Sequence, residues 1–127
     1  MKKTNNKGFS LVELIIVIAI MVILVAVIAP QYTKFVYNSR ISTDVQTAAE
    51  MATDINTRIA NGEDVASIVS GYVNTPSKLN KANGTWVITY NDATGVSEIK
   101  LTVTEESADY VCYPNPDSAS GLNKLKK

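Results

Sequence analysis

The sequence predicts an α+β fold: a long N-terminal helix, apolar in its first half and amphipathic in its second, packed on a small three-stranded antiparallel β-sheet. Three observations carry this expectation. Leu14 to Ala29 are 16 consecutive apolar residues; Tyr37, Ile41, Val45, Ala48, Ala52, Ile55 and Ile59 recur at spacings of three and four; and beyond residue 84 short alternating stretches are separated by turn sequences. The first pattern suits a membrane-spanning helix, the second one face of a helix, and the third strands with one wet face.

No charge follows Glu13 until Lys34, so the uncharged stretch from Leu14 to Thr33 is 20 residues long. A bilayer takes roughly 20 helical residues to cross. The run is rich in Ile and Val, but lipid offers backbone groups no partners and leaves a lone segment only the helix. Lys2, Lys3 and Lys7 precede it, so the positive-inside tendency holds residues 1–8 in the cytoplasm and sends the C-terminal part out.

The residues after the apolar core, PQYTKFVY, lack the small-residue pattern of an ordinary secretory cleavage site, whereas Gly8 stands before the core. Processing at Gly8 would keep the helix, discard three of the 12 basic residues and none of the 12 acidic ones, and leave a new amino terminus on Phe9. Glu13, inside the apolar run, needs compensation, because a carboxylate at the bilayer centre costs about 2.5–3.5 kcal/mol. Two readings meet that need. Glu13 lies near enough to the headgroups to reach water, or it pairs with the Phe9 amine of a neighbouring chain shifted lengthwise and so sets axial register.

Pro30 either marks the end of the spanning helix or sits inside a longer one, where it denies the Ala26 carbonyl its N–H donor and kinks the rod. The stripe that follows favours continuation. Thr43, Thr47, Glu50, Asp54 and Arg58 suit the opposite, solvated face, and Asn61-Gly62 is a natural stop. A helix over residues 9–60 would extend about 78 Å. The remaining residues are few for a core of their own and need the amphipathic half-helix as a partner.

Residues 63–70, EDVASIVS, predict one or two helical turns ended by Gly71, and Asn74 to Ser77 a loop. Thr85 to Tyr90 predicts the first strand, with Trp86, Ile88 and Tyr90 on one face. Asn91 to Gly95 is a turn. Ser97 to Thr104 alternates, with Ile99, Leu101 and Val103 inward, and Asp109 to Tyr113 follows as the third strand. Two local connections make a meander the economical topology. The polar segment 114–127 predicts a loose tail or a strap across the sheet, its three lysines solvated or, as the lesser reading, touching an anionic surface. Cys112 is the only cysteine, so no intrachain disulfide forms; alternation sets it opposite Val111 and Tyr113, as a small buried hydrophobe or a partly exposed thiol.

Catalysis is argued against directly. There is no histidine, no Gly-rich phosphate loop, and Asp44, Glu50, Asp54, Glu63 and Asp64 show only what a helix surface produces. Scattered Lys and Arg make no nucleic-acid platform. No cofactor is expected.

The residues Lys7-Gly8-Phe9-Ser10-Leu11-Val12-Glu13-Leu14, the Ile/Val/Leu run and Pro30 resemble the class III leader of type IV prepilins and related pseudopilins. The resemblance covers residues 2 to about 35 and implies the pilin fold. It further implies cleavage after Gly8 by a prepilin peptidase, N-methylation of Phe9, an assembly role for Glu13 and a helix bend at Pro30. The implied partners are a helical homopolymer of this chain, the prepilin peptidase, a pilus assembly platform and, before assembly, membrane lipid; no small-molecule substrate is implied. The precursor would lie in the cytoplasmic membrane and the assembled pilus outside, serving adhesion, twitching motility or DNA uptake. Many type IV pilins close a C-terminal loop with a cystine, and this chain departs from that pattern. Some secretion pseudopilins carry a C-terminal calcium site; Asp109, Asn115 and Asp117 lie near the right end, yet their spacing matches no EF-hand and reads as a plain turn.

The expected organisation is a basic leader at 1–8, an assembly helix at 9–30, an amphipathic helix at 31–60, a head at 61–113 and a tail at 114–127. A pseudopilin of a type II secretion or competence system is the alternative function, and a monomeric membrane-anchored binding domain the lesser one.

Overall fold

The computed structural model describes residues 10–80 and 85–127, so the expectations for Gly8 and Phe9 lie outside the described residues. The chain forms two compact units, Met1–Phe35 and Val36–Lys127. Helix α1, Leu11–Ala60, begins in the first and ends in the second. It runs through Pro30 rather than stopping there. The Thr33 hydroxyl donates to the Pro30 carbonyl at 2.9 Å, using an acceptor within the turn after the proline.

In the second unit α1 presents the expected stripe to a core. Ile41, Ala48, Ala52 and Ile55 are buried, joined by Met51, while Tyr37, Val45 and Ile59 flank them half-buried. On the opposite face the hydroxyls of Thr43, Thr47, Thr53 and Thr57 turn back onto the carbonyls four residues earlier. The helix ends as its sequence requires: Gly62 takes φ of +80°, its N–H reaches the Ile59 carbonyl and that of Glu63 the Arg58 carbonyl, satisfying two acceptors of the last turn.

Helix α2 spans Val65–Tyr72 and buries Val65, Ile68 and Val69. It does not stop at Gly71 as the sequence predicts. Gly71 keeps negative φ, and the Tyr72 phenol donates to the Asp54 carboxylate on α1, which holds the last turn in place. That hydrogen bond raises the Tyr72 phenol above its ordinary 10.0, with burial adding to it. The folded chain therefore grips this proton more tightly than the unfolded one; the contribution is complete below pH 10.0 and fades as pH climbs through the folded value. Thermal denaturation across that range is expected to show Tyr72→Phe with a shallower alkaline decline than the parent. Some decline persists, because Tyr37 is also raised, by burial and by Glu105 and Glu106.

Strands β1, Thr85–Asn91, β2, Gly95–Val103, and β3, Ala108–Tyr113, pair antiparallel in the order β1-β2-β3. The meander matches the predicted topology. Trp86 faces Leu101 and Ile88 faces Ile99 across the first pair, and Ile99, Leu101 and Val103 are buried against α1 and α2 residues in one core. The Trp86 indole donates to the Thr75 carbonyl at 2.9 Å, which satisfies its only polar atom. At the β1–β2 turn Gly95 has φ of +92°. A Cβ there would lie 2.3 Å from Asn56 Oδ1, the atom that accepts the Val96 N–H at 2.8 Å. This position needs glycine for both backbone and space.

One detail of β3 departs from simple alternation. Lys100 pairs with Val111 and Ile99 with Tyr113, so Cys112 is an extra residue, a β-bulge. Cys112 is 2% exposed in the core, opposite Val111 as predicted, but the bulge carries Tyr113 round to pack against the same core.

Segment 114–127 is a strap and not a loose tail. Leu122 is fully buried, the Val111 N–H donates to the Ser120 carbonyl at 2.8 Å, and the last residues form a 3₁₀ turn at Leu122–Leu125. Gly121 lets the strap fold on itself, since a Cβ would stand 1.9 Å from the Pro116 carbonyl oxygen.

Candidate functional site

The candidate site is the surface of α1 in the first unit. From Leu11 to Phe35 its large apolar side chains are exposed, from 43% at Val17 to 73% at Leu11. This is the one helix among the described residues long and apolar enough to cross a membrane; its most apolar window has a mean hydropathy of 3.4 and none of it buried. A soluble core helix would have that window covered. At roughly 1–2 kcal/mol for each half-exposed Val, Leu or Ile, leaving the run in water would cost more than the ~5–15 kcal/mol that keeps an ordinary domain folded. The surface demands an apolar neighbour, either lipid or protein.

Glu13 lies in the first turn of this surface and has a local partner that neither reading of its sequence position foresaw. Its N–H donates to Ser10 Oγ at 3.2 Å, and its carboxylate accepts the Ser10 N–H at 3.4 Å. This reciprocal arrangement is a capping box, legible in the spacing Ser10-x-x-Glu13, and it satisfies two otherwise orphaned donors at the helix start. A carboxylate there also complements the positive end of the helix dipole. The cap uses one carboxylate oxygen, Oε2, so acceptor capacity remains for a second donor. Pro30, the other predicted assembly residue, is seated within continuous helix.

Among the described residues no three His, Cys, Asp or Glu side chains gather to hold a metal. An open groove of about 480 Å³ on α1 is lined by Gln46, Ala49, Glu50, Thr53, Asp54 and Thr57. Its carboxylates are occupied: Gln46 donates to Glu50 at 3.1 Å, and Asp54 takes both Arg58 at 3.1 Å and Tyr72. The Cys112 thiol is driven up to about 12, chiefly by burial and then by Asp44, which leaves almost no thiolate at neutral pH.

Asp44, grouped in the sequence with carboxylates that show only what a helix surface produces, is buried instead. It is 1% exposed and faces the core side of α1. One oxygen accepts the Lys78 N–H at 2.8 Å, and the other accepts the Leu79 N–H at 2.8 Å and the Ser77 hydroxyl at 2.9 Å. The sequence signal was its spacing, three residues after Ile41 and four before Ala48, on the apolar stripe itself. Its work is to pin the loop that leads into β1.

Fold and surface together define a class: a greasy helix that must be covered by lipid or protein, followed by a small α+β head. Comparison with known proteins then specifies it. The family described as the prokaryotic N-terminal methylation motif matches residues 3–29. A type IV major fimbrial protein, FimA, of Dichelobacter nodosus is 36% identical over 70 residues, 55% of this chain and 45% of that protein. A fimbrial protein of Pseudomonas aeruginosa is 30% identical over 101 residues, 80% of this chain and 62% of that protein. A probable minor fimbrial protein of Dichelobacter nodosus is 31% identical over 141 aligned positions, 100% of this chain and 80% of that protein. This chain belongs to the type IV fimbrial protein, or type IV pilin, family. It spans about half the length of the major fimbrial proteins of Dichelobacter nodosus that it matches. These relatives bear the names of structural proteins and not of enzymes. No solved structure matches it.

Proposed function

We propose that this chain is a structural subunit of a type IV pilus: inserted in the cytoplasmic membrane by its apolar helix, cut after Gly8, methylated on Phe9, and then polymerised through that helix. The observation that carries the reading is the exposed apolar surface of α1 with a single capped carboxylate near its start. Lipid covers this surface in the precursor, and equivalent helices of sibling chains cover it in the filament. Contacts of this heterologous kind repeat without closing and produce an open polymer. Lys2, Lys3 and Lys7 favour a cytoplasmic N-terminus, with the head outside.

A prepilin peptidase and a pilus assembly platform are the partners this sequence of events requires, and adhesion, surface motility or DNA uptake are the uses it serves. A second reading, that the chain is a minor rather than a major subunit, is favoured by one observation. The relative named as a probable minor fimbrial protein aligns along the whole chain, whereas the major ones align over part of it.

The test combines processing with assembly. Mass spectrometry of sheared surface filaments is expected to find this chain beginning at N-methylated Phe9. Gly8→Leu is expected to retain the eight-residue leader, remain in the membrane and yield no filaments. A Phe9 terminus in that variant would count against a cut that depends on Gly8, and sheared filaments that begin beyond Ala29 would remove the polymer reading altogether.

A further inference from the structure

The strap brings cations back to the base of the head. Lys127 is clamped to Asn38 of α1 through both its main-chain groups: its N–H donates to Asn38 Oδ1 at 2.8 Å, and its carbonyl accepts Asn38 Nδ2 at 2.8 Å. Its ammonium lies 4.8 Å from the centre of the Tyr37 ring. Leu122 and Leu125 turn toward the core, leaving Lys124, Lys126 and Lys127 exposed. Tyr37 follows Phe35 by two residues, so by covalent connection alone a group fixed to residues 37 and 38 lies next to the end of the segment that lipid must cover.

From this we propose that Lys124, Lys126 and Lys127 form a cationic collar that binds the anionic headgroups of the bilayer holding the chain before assembly. The proposal rests on the membrane-anchored reading above. Arg40, half-buried two residues beyond the clamp, adds a fourth positive charge to the same stretch of α1. Against these stand Glu105 and Glu106 of the β2–β3 turn, close enough to act on Tyr37. Alone, that acidic turn would be repelled by an anionic surface; Lys124, Lys126, Lys127 and Arg40 together outnumber its two carboxylates and that of Asp117 in the strap itself. Near such a surface each lysine is worth about a fivefold gain in the bound-to-free ratio, an effect that salt screens. A loose tail would spread its charges through solution, whereas the Asn38 clamp concentrates them at the membrane-proximal end.

The test reconstitutes the full chain in phosphatidylcholine vesicles with and without phosphatidylglycerol, each doped with a lipid bearing a photoactivatable headgroup. Crosslinks to residues 122–127, mapped by mass spectrometry, are expected to rise several-fold with phosphatidylglycerol and to fall again in high salt. The triple variant Lys124→Gln, Lys126→Gln, Lys127→Gln is expected to lose the rise. Asn38→Ala, which keeps the lysines but frees them, is expected to weaken it. Equal crosslinking in the two vesicle types, or a rise that survives the triple substitution, would overturn the collar. So would a triple variant with normal headgroup crosslinking but no filaments, which would assign the lysines to a sibling chain. Flotation of the same samples separates the two levels: a chain that fails to float with either vesicle would overturn the membrane-anchored reading itself.

Discussion

Glu13→Ala is expected to leave the chain in the membrane and to abolish filament assembly. The substitution removes a carboxylate whose burial in lipid costs up to about 2.5–3.5 kcal/mol, and with it a capping interaction worth about 1 kcal/mol. Insertion therefore loses nothing, since the long apolar run remains. What disappears is the carboxylate that, on the proposed register role, selects a lengthwise position among otherwise equivalent apolar neighbours. Glu13→Gln separates the two duties of the residue. An amide oxygen can still accept the Ser10 N–H, but it carries no charge for a neighbouring Phe9 amine. Loss of filaments in both variants, with membrane fractions unchanged, would assign the role to charge. Normal filament yield from Glu13→Ala in a shear-and-immunoblot assay would reduce Glu13 to a local cap.

Asp44→Ala is expected to cost the head roughly 3 kcal/mol, on the order of 12 °C or more in Tm, because the N–H groups of Lys78 and Leu79 and the Ser77 hydroxyl lose a charged acceptor in a buried place. Asp44→Asn is expected to fall between. Its carbonyl can keep the Leu79 and Ser77 bonds, while its NH₂ confronts the Lys78 N–H. Thermal melts of the three proteins under one condition decide the matter, and equal Tm values for parent and Asp44→Ala would show that the loop holds itself.

Most of this architecture could be read from the residues because its periods are regular. The stripe from Ile41 to Ile55 and the alternation of Ile99, Leu101 and Val103 each name a buried face, and the structure buries both. What escaped were features with no period. Asp44 is the exception: its spacing sets it on the apolar stripe, and only its charge argues for the surface. The bulge at Cys112 is a single inserted residue, and alternation carries no mark of where it breaks. The strap has only Leu122 and Leu125 to commit it, and its hold on Asn38 joins residues 89 positions apart, beyond any local rule. At the candidate site the apolar run and Glu13 are plain in the sequence, and the capping box is legible as Ser10-x-x-Glu13.

The buried thiol has a consequence for the proposed filament. With the Cys112 group pushed up to about 12, only about one molecule in 10⁵ carries thiolate at pH 7, and attack on an oxidant or a cystine proceeds through that form. Folding of the head thus places no demand on oxidative maturation catalysts. In the proposed filament, neighbouring copies would meet air and peroxide with this thiol protonated and 2% exposed, and so without becoming covalently stitched together.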